Sequence, residues 1–336
     1  MTAALTGVGL FAVLVVLPGV IGRWRGVSPR VAAGAYLVDL VGWGLLPAVW
    51  LGCLGGTVGS WLAGIRVTGG GCLFGLEKGQ WQLAGYLPAA GAFGVLVWHA
   101  VRLAVTARRS ELRGVALAGS TRRGVAGGGE VWVVPSARPA AFAGGLWRCR
   151  AVVTSAVLAP LDEVERQAVC EHEAAHVRLG HPRVLVAGGA VAGAYGWLSP
   201  VRRGWDGLRR ESEAAADDEA AGVVGRAAVI SALVKVALLA GGASTVAAFG
   251  GGTVAFGDVD HLRYRIARLE DGRAVRAAPT ALVGSTAAFV VSVMAWSACV
   301  LAGADATTVG IVACGSAIAA VGLRPTWAWG LRIVGR

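Results

Sequence analysis

The sequence predicts an α-helical membrane protein of about five transmembrane helices, with an α+β domain inserted on the cytoplasmic side. Three observations carry that expectation. The 336-residue chain is 55% hydrophobic and only 15% charged, with a mean hydropathy of +0.63, more apolar than an ordinary soluble enzyme. Apolar runs recur at 3–22, 32–54, 84–106, 280–302 and 307–323, each near the length that crosses roughly 30 Å of hydrocarbon as a helix. Between the third and fourth runs the pattern changes to short β-like stretches and polar helices. The chain therefore divides into a three-span membrane region, 1–106, a cytoplasmic domain, 107–279, and a transmembrane hairpin with a short tail, 280–336.

No Lys or Arg precedes the first run, so it reads as a retained span and not as a cleavable signal peptide. Arg23, Arg25 and Arg30 follow the first span, Arg108, Arg109 and Arg113 the third, and Arg324, Arg332 and Arg336 the fifth. The alternate loops hold little positive charge. By the positive-inside rule the N-terminus lies outside, and 107–279 and the C-terminus face the cytoplasm. Trp24, Trp50, Trp81 and Trp327, near span ends, fit anchoring at the lipid interface. The net charge of +11 is concentrated at these membrane edges, and no zinc-finger spacing or aromatic-interleaved basic groove accompanies it. The expected surroundings are a lipid bilayer, with no direct nucleic-acid partner. A shorter run, 184–199, is interrupted by glycines, ends in Ser199-Pro200, and reads as a buried or membrane-dipping helix. Asp39, inside the second span, is expected to find a polar neighbour.

Within the cytoplasmic region an Arg- and Gly-rich connector, 107–129, leads to strand-like runs at 131–134 and 150–154. Between them, 140–143 followed by Gly144-Gly145 fits an edge strand, to which an extended peptide could be added as a further strand. A helix is expected over about 160–180, with Pro160 in its first turn, acidic Asp162, Glu163 and Glu165 near its N-terminus, and Gly180 and Pro182 as its stop. An apolar helix follows at about 226–240. The Gly- and Ala-rich stretch 241–256 has no period and reads either as a mobile flap or as a plain linker.

The chemistry is concentrated in His172-Glu173-Ala174-Ala175-His176. On a helix His172 and His176 stand i and i+4 on one face, so both imidazoles reach one ion, and Glu173 lies beside them as a base for a metal-held water. That is the zinc-hydrolase arrangement, which needs a third protein ligand. His181 lies past the helix end, where it is expected at the surface or as a support for a ligand. Glu213-Ala214-Ala215-Ala216-Asp217 is the better candidate: Glu213 can bind the metal, while Asp217, one turn on, accepts the N–H of a ligand histidine. His261, Tyr264 and Arg265 are candidate donors to an oxyanion. The six cysteines show no metal-binding spacing. Cys170 points away from His172 and is expected in the core, whereas Cys53 and Cys72 could pair in the outer loop.

The block from 131 to 182, with AFA, VVTSAVL and then HEAAH, resembles the membrane gluzincins. The later RRESEAAADDEAA, Ala232-Leu233-Val234-Lys235 and Arg265-Ile266-Ala267-Arg268-Leu269 resemble the BlaR/MecR-type peptidases, the β-lactam sensor-transducers. The resemblance covers about 130–270. It implies a zincin-like (gluzincin) protease domain in a bacterial inner membrane, with one Zn2+ per chain held by His172, His176 and Glu213. It likewise implies Glu173 as the general base and Asp217 behind the ligands. The implied activity is hydrolysis of a protein or peptide on the cytoplasmic side, by analogy of a regulatory protein such as a transcriptional repressor. Ala216 stands where that family often has Cys, and the penicillin-binding sensor is not expected after the fifth span, so β-lactam sensing does not follow. Two alternatives stay open: a quality-control or processing protease of the HtpX or CAAX type, whose E-x-x-A-D pattern Ala216-Asp217 also fits, and a non-catalytic signalling receptor on the same fold.

Overall fold

The computed structural model describes residues 21, 28–44, 87–115, 120–242 and 259–271. The expected spans at 280–302 and 307–323, most of the first, the outer half of the second, the four span-end tryptophans, Cys53, Cys72 and nearly all of the 241–256 stretch lie outside those residues.

Four short strands, β1 (Thr121–Gly124), β2 (Glu130–Val134), β3 (Ala141–Gly144) and β4 (Arg150–Thr154), form one sheet in the order β1-β2-β4-β3. β2 and β4 run parallel, and β1 and β3 pair antiparallel on either side of them. β2, β3 and β4 lie where the β-like runs place them, with β3 at an edge. β1 is a correction, because it falls inside the stretch read as a connector. Thr121-Arg122-Arg123-Gly124 has no apolar alternation and is mostly exposed. Backbone pairing to β2 forms it, helped by the Arg122 guanidinium 4.6 Å above the Trp132 ring.

Besides Ile21, which is itself helical, the described residues form the helices α1 (29–44), α2 (Leu87–Val115), α3 (Ser155–Leu158), α4 (Glu163–Arg178), α5 (His181–Tyr195), α6 (Ser199–Val224), α7 (Arg226–Gly242) and α8 (Val259–Asp271). Asp162, not Pro160, starts α4. Its carboxylate accepts from the Glu165 N–H while Glu165 accepts from the Asp162 N–H, a reciprocal cap that satisfies two otherwise orphaned donors. Glu165 then reaches α7, where it accepts from Ser231 Oγ at 2.6 Å and Lys235 Nζ at 2.7 Å. α4 stops at Gly180, whose φ of 72° is the left-handed conformation glycine adopts without penalty. Pro182 opens the next helix and does not merely end this one. Ser199 and Pro200 likewise open α6 and do not close the 184–199 run, again because proline fits a first turn.

Among the described residues two apolar cores result. In the first, Ala32, Tyr36, Leu40 and Trp43 of α1 meet Leu185, Val191 and Tyr195 of α5 and Val201 and Leu208 of α6. Gly207 makes that approach feasible, since a Cβ there would sit 2.4 Å from the Tyr36 ring. α2 lies against α5, with Tyr195 donating to the Ala92 carbonyl at 2.8 Å. Its residues Ala90–Arg109 form, among the described residues, one helix long and apolar enough to cross a membrane, with Phe93, Val97, Trp98 and Val101 exposed along it. Asp39 is fully buried in this core, and among the described residues neither of its oxygens has a hydrogen-bond partner, so the expected polar neighbour is not one of them. The second core joins the sheet (Val131, Ala151, Val153) to α4 (Ala168, Cys170, Ala174), α6 (Ala220), α7 (Val229, Ala232, Val236) and Leu269 of α8. Cys170 is buried there, in the core and not at the metal-ligand face.

Candidate metal centre

Two helices supply the site. In α4 His172 and His176 face the same way one turn apart, and in α6 Glu213 and Asp217 do the same. Small residues let the helices approach: Ala174 and Ala175 on one, Ala214, Ala215 and Ala216 on the other, are all buried. His172 Nε2 lies 3.1 Å from His176 Nε2 and 3.3 Å from Glu213 Oε2, and His176 Nε2 lies 3.5 Å from Glu213 Oε1. These three residues offer ligand atoms to one point, with all of those atoms within 4.8 Å of one another. A tetrahedral zinc with N and O ligands at about 2.0–2.1 Å sets its ligands roughly 3.3 Å apart, so the donor set fits that ion.

Around them stands a second layer. His172 Nδ1 lies 2.9 Å from Asp217 Oδ1, so this edge of the ring faces the carboxylate and Nε2 faces the ligand point. His176 Nδ1 lies 2.8 Å from His181 Nδ1. His181 is buried at the start of α5 and supports His176, so its expected place is narrowed to the second of the two alternatives. Burial and the neighbouring His176 push the His181 pKa down to about 3, so it stays neutral. Burial opposes protonation of His172, but the Asp217 and Glu213 carboxylates outweigh it and lift its pKa to about 10 before any ion enters. Burial likewise acts against ionised Glu213 and Asp217. The neighbouring His176 and Arg265 for Glu213, and Arg265 for Asp217, reverse that effect and hold both below the usual carboxylate range. Glu173, also buried, is displaced upward by desolvation, the direction that suits a residue taking up a proton.

His172, Glu173, Asp217 and Arg265 line a pocket whose other walls are Ala141 of the edge strand, Ala168 and Val169 of α4, and Val229, Ala232, Leu233 and Val236 of α7. The three oxyanion candidates are separated by the structure. Arg265 reaches the site, with its nitrogens on Asp217 and Glu213. Tyr264 donates to Glu211 Oε1 at 2.9 Å, with the Arg210 guanidinium over its ring. His261, half-buried one turn earlier on α8, does not line the pocket. The supporting contact of His181 was not legible as such, and the guanidinium behind Glu213 comes from 48 residues past Asp217, where no spacing rule reaches.

No curated protein and no solved structure matches the chain. Residues 108–202, which span the sheet, α4 and α5 and include HEAAH but stop short of Glu213, match a family described as Peptidase family M48, and with that similarity the segment reads as part of a metallopeptidase.

Proposed function

We propose that the chain is a membrane-embedded zinc metalloendopeptidase that hydrolyses peptide bonds on the cytoplasmic side, with His172, His176 and Glu213 as zinc ligands and Glu173 as general base. The observation that carries this reading is the convergence of the three donors beside buried Glu173, with His172 and Glu173 lining a pocket that extends to Ala141 of strand β3. A bound zinc ion would supply Lewis acidity, making water a stronger acid and polarising the scissile carbonyl. Glu173 takes the proton from the attacking water and returns it to the leaving amine. Asp217 and His181 keep the two imidazoles turned toward the ion. The edge strand β3 pairs with the extended substrate backbone, and the apolar wall of Ala168, Val169, Val229, Leu233 and Val236 takes a neighbouring side chain.

A regulatory protein such as a cytoplasmic repressor is the substrate favoured by the BlaR/MecR resemblance. Ala216-Asp217 favours a second reading in the same class, a quality-control or processing protease. The two part on substrate: a folded cytoplasmic protein cut at one bond, or denatured membrane protein cut at many. The reading as a whole is tested on full-length protein in detergent, by zinc content and by mass spectrometry of a mixture of unstructured peptides. About one zinc per chain, with cleavage lost in Glu173→Gln while the zinc stays, is the expected result. Zinc-free folded protein, or undiminished cleavage by Glu173→Gln, would overturn it.

A further inference from the structure

Arg265 sits on α8, well away in sequence from both site helices, yet it is buried and all three guanidinium nitrogens are committed at the site. Nε lies 2.7 Å from Asp217 Oδ2, one terminal nitrogen 2.6 Å from Asp217 Oδ1, and the other 3.2 Å from Glu213 Oε2. This is a bidentate fork on one carboxylate with its remaining arm on the next, a geometry a guanidinium can make and an ammonium cannot. We propose that Arg265 is a positioning residue that sets the metal affinity of the site through Glu213 and Asp217, so that docking of α8 completes the metal centre.

Two physical effects act together. The first is orientation. Asp217 Oδ1 is shared between Arg265 and His172 Nδ1, so the guanidinium fixes the acceptor that fixes the imidazole. Its contact with Glu213 Oε2 leaves Oε1 on the side of His176. The second is charge. Glu173 and Asp217, both buried, and Glu213, nearly so, bring three carboxylates around the place of one divalent ion, and the guanidinium cancels the remaining negative charge. Without it the site would hold a surplus buried charge, and Glu213 and Asp217 would be free to turn away from the histidines.

The inference rests on the zinc reading of the site, and zinc affinity measured by chelator competition on the full-length chain in detergent tests it without any activity assay. Arg265→Ala is expected to weaken zinc by about 10–100-fold, the usual effect of removing a group that orients a ligand. Arg265→Lys falls between it and wild type. Leu269→Ala removes a buried apolar side chain from the same helix while leaving the guanidinium, and stays near wild type. Should Arg265→Ala fail to fold, Arg265→Lys decides: a folded lysine variant with wild-type affinity overturns the proposal. So does a Leu269→Ala loss as large as that of Arg265→Ala, which would reduce the residue to a helix anchor. A wild-type chain that takes up no zinc removes the reading of the site, and this inference with it, and is recognised by its absence from every variant alike.

Discussion

The two cores of this molecule handle buried charge in opposite ways, although α6 runs through both. Near its N-terminus α6 packs Val201 and Leu208 against the large side chains of α1, and there buried Asp39 has neither oxygen bonded among the described residues. Two to three turns later the same helix puts Glu213 and Asp217 among alanines, and each carboxylate has a named partner: His172, His176 and Arg265. Small residues bring backbones close enough for polar groups to meet in register. At Asp39 the close approach is also made by a glycine, Gly204, which has no polar side chain to offer the carboxyl. Burial is comparable in the two places, and pairing is what separates them.

The sharpest way to break the comparison is to remove a ligand. Glu213→Ala is expected to take zinc from about one ion per chain to none in equilibrium dialysis, while the three-site pattern predicts that His181→Ala keeps the ion with weaker affinity. Next in size is Asp217→Ala, which strips the bidentate partner from buried Arg265 and leaves it only the contact with Glu213. Denaturant unfolding should show a loss of about 3–5 kcal/mol, the cost of breaking one side of a buried pair. Asp39→Val tests the other core and carries the opposite sign. Removing a buried carboxyl with no bonded partner should raise stability by about 1–3 kcal/mol, seen as a higher melting temperature, and a destabilised variant would show that Asp39 is satisfied after all.

A smaller effect follows from pH. The Lys235 ammonium, then Ser231 and the Asp162 N–H, hold Glu165 down to about 2 in the folded chain. A carboxyl depressed by folding stabilises above its unfolded value and stops doing so as pH falls toward the folded one. Unfolding free energy should therefore decline between about pH 4.5 and 2, where unfolded glutamate is protonated first. Lys235→Met should flatten that part of the profile, and an unchanged profile would assign the acid sensitivity elsewhere.

What could be read from residues alone was what short-range geometry dictates. His172 with His176, and Glu213 with Asp217, are each one helical turn apart, so a sequence pattern maps directly onto a face. β4 and β2 were visible as runs of valine, because strands buried in a sheet need no polar alternation. β1 was not, since Thr121-Arg122-Arg123-Gly124 is held by the backbone of its neighbour and carries no signal of its own. Pro160, Pro182 and Pro200 were read with the wrong helix or on the wrong side of a boundary, because a proline that follows one helix and one that begins the next look alike in sequence. In sequence Arg265 is marked only by the polar residues His261 and Tyr264 beside it, after a glycine-rich stretch. Its real contacts depend on how α8 packs across α6, and no local rule contains that.

The joint between α4 and α5 sets a length that the chain has no slack to change. Only Leu179 and Gly180 separate Arg178 from His181, and His181 must still return to His176. One inserted residue would turn everything beyond it by about 100° and carry it about 1.5 Å further along if the helix simply continued, enough to point His181 away and to lift α5 off α2. Loops elsewhere in a protein commonly absorb such changes. Here a fusion, tag or cleavage site placed at this joint would disable the candidate metal centre without touching a single ligand.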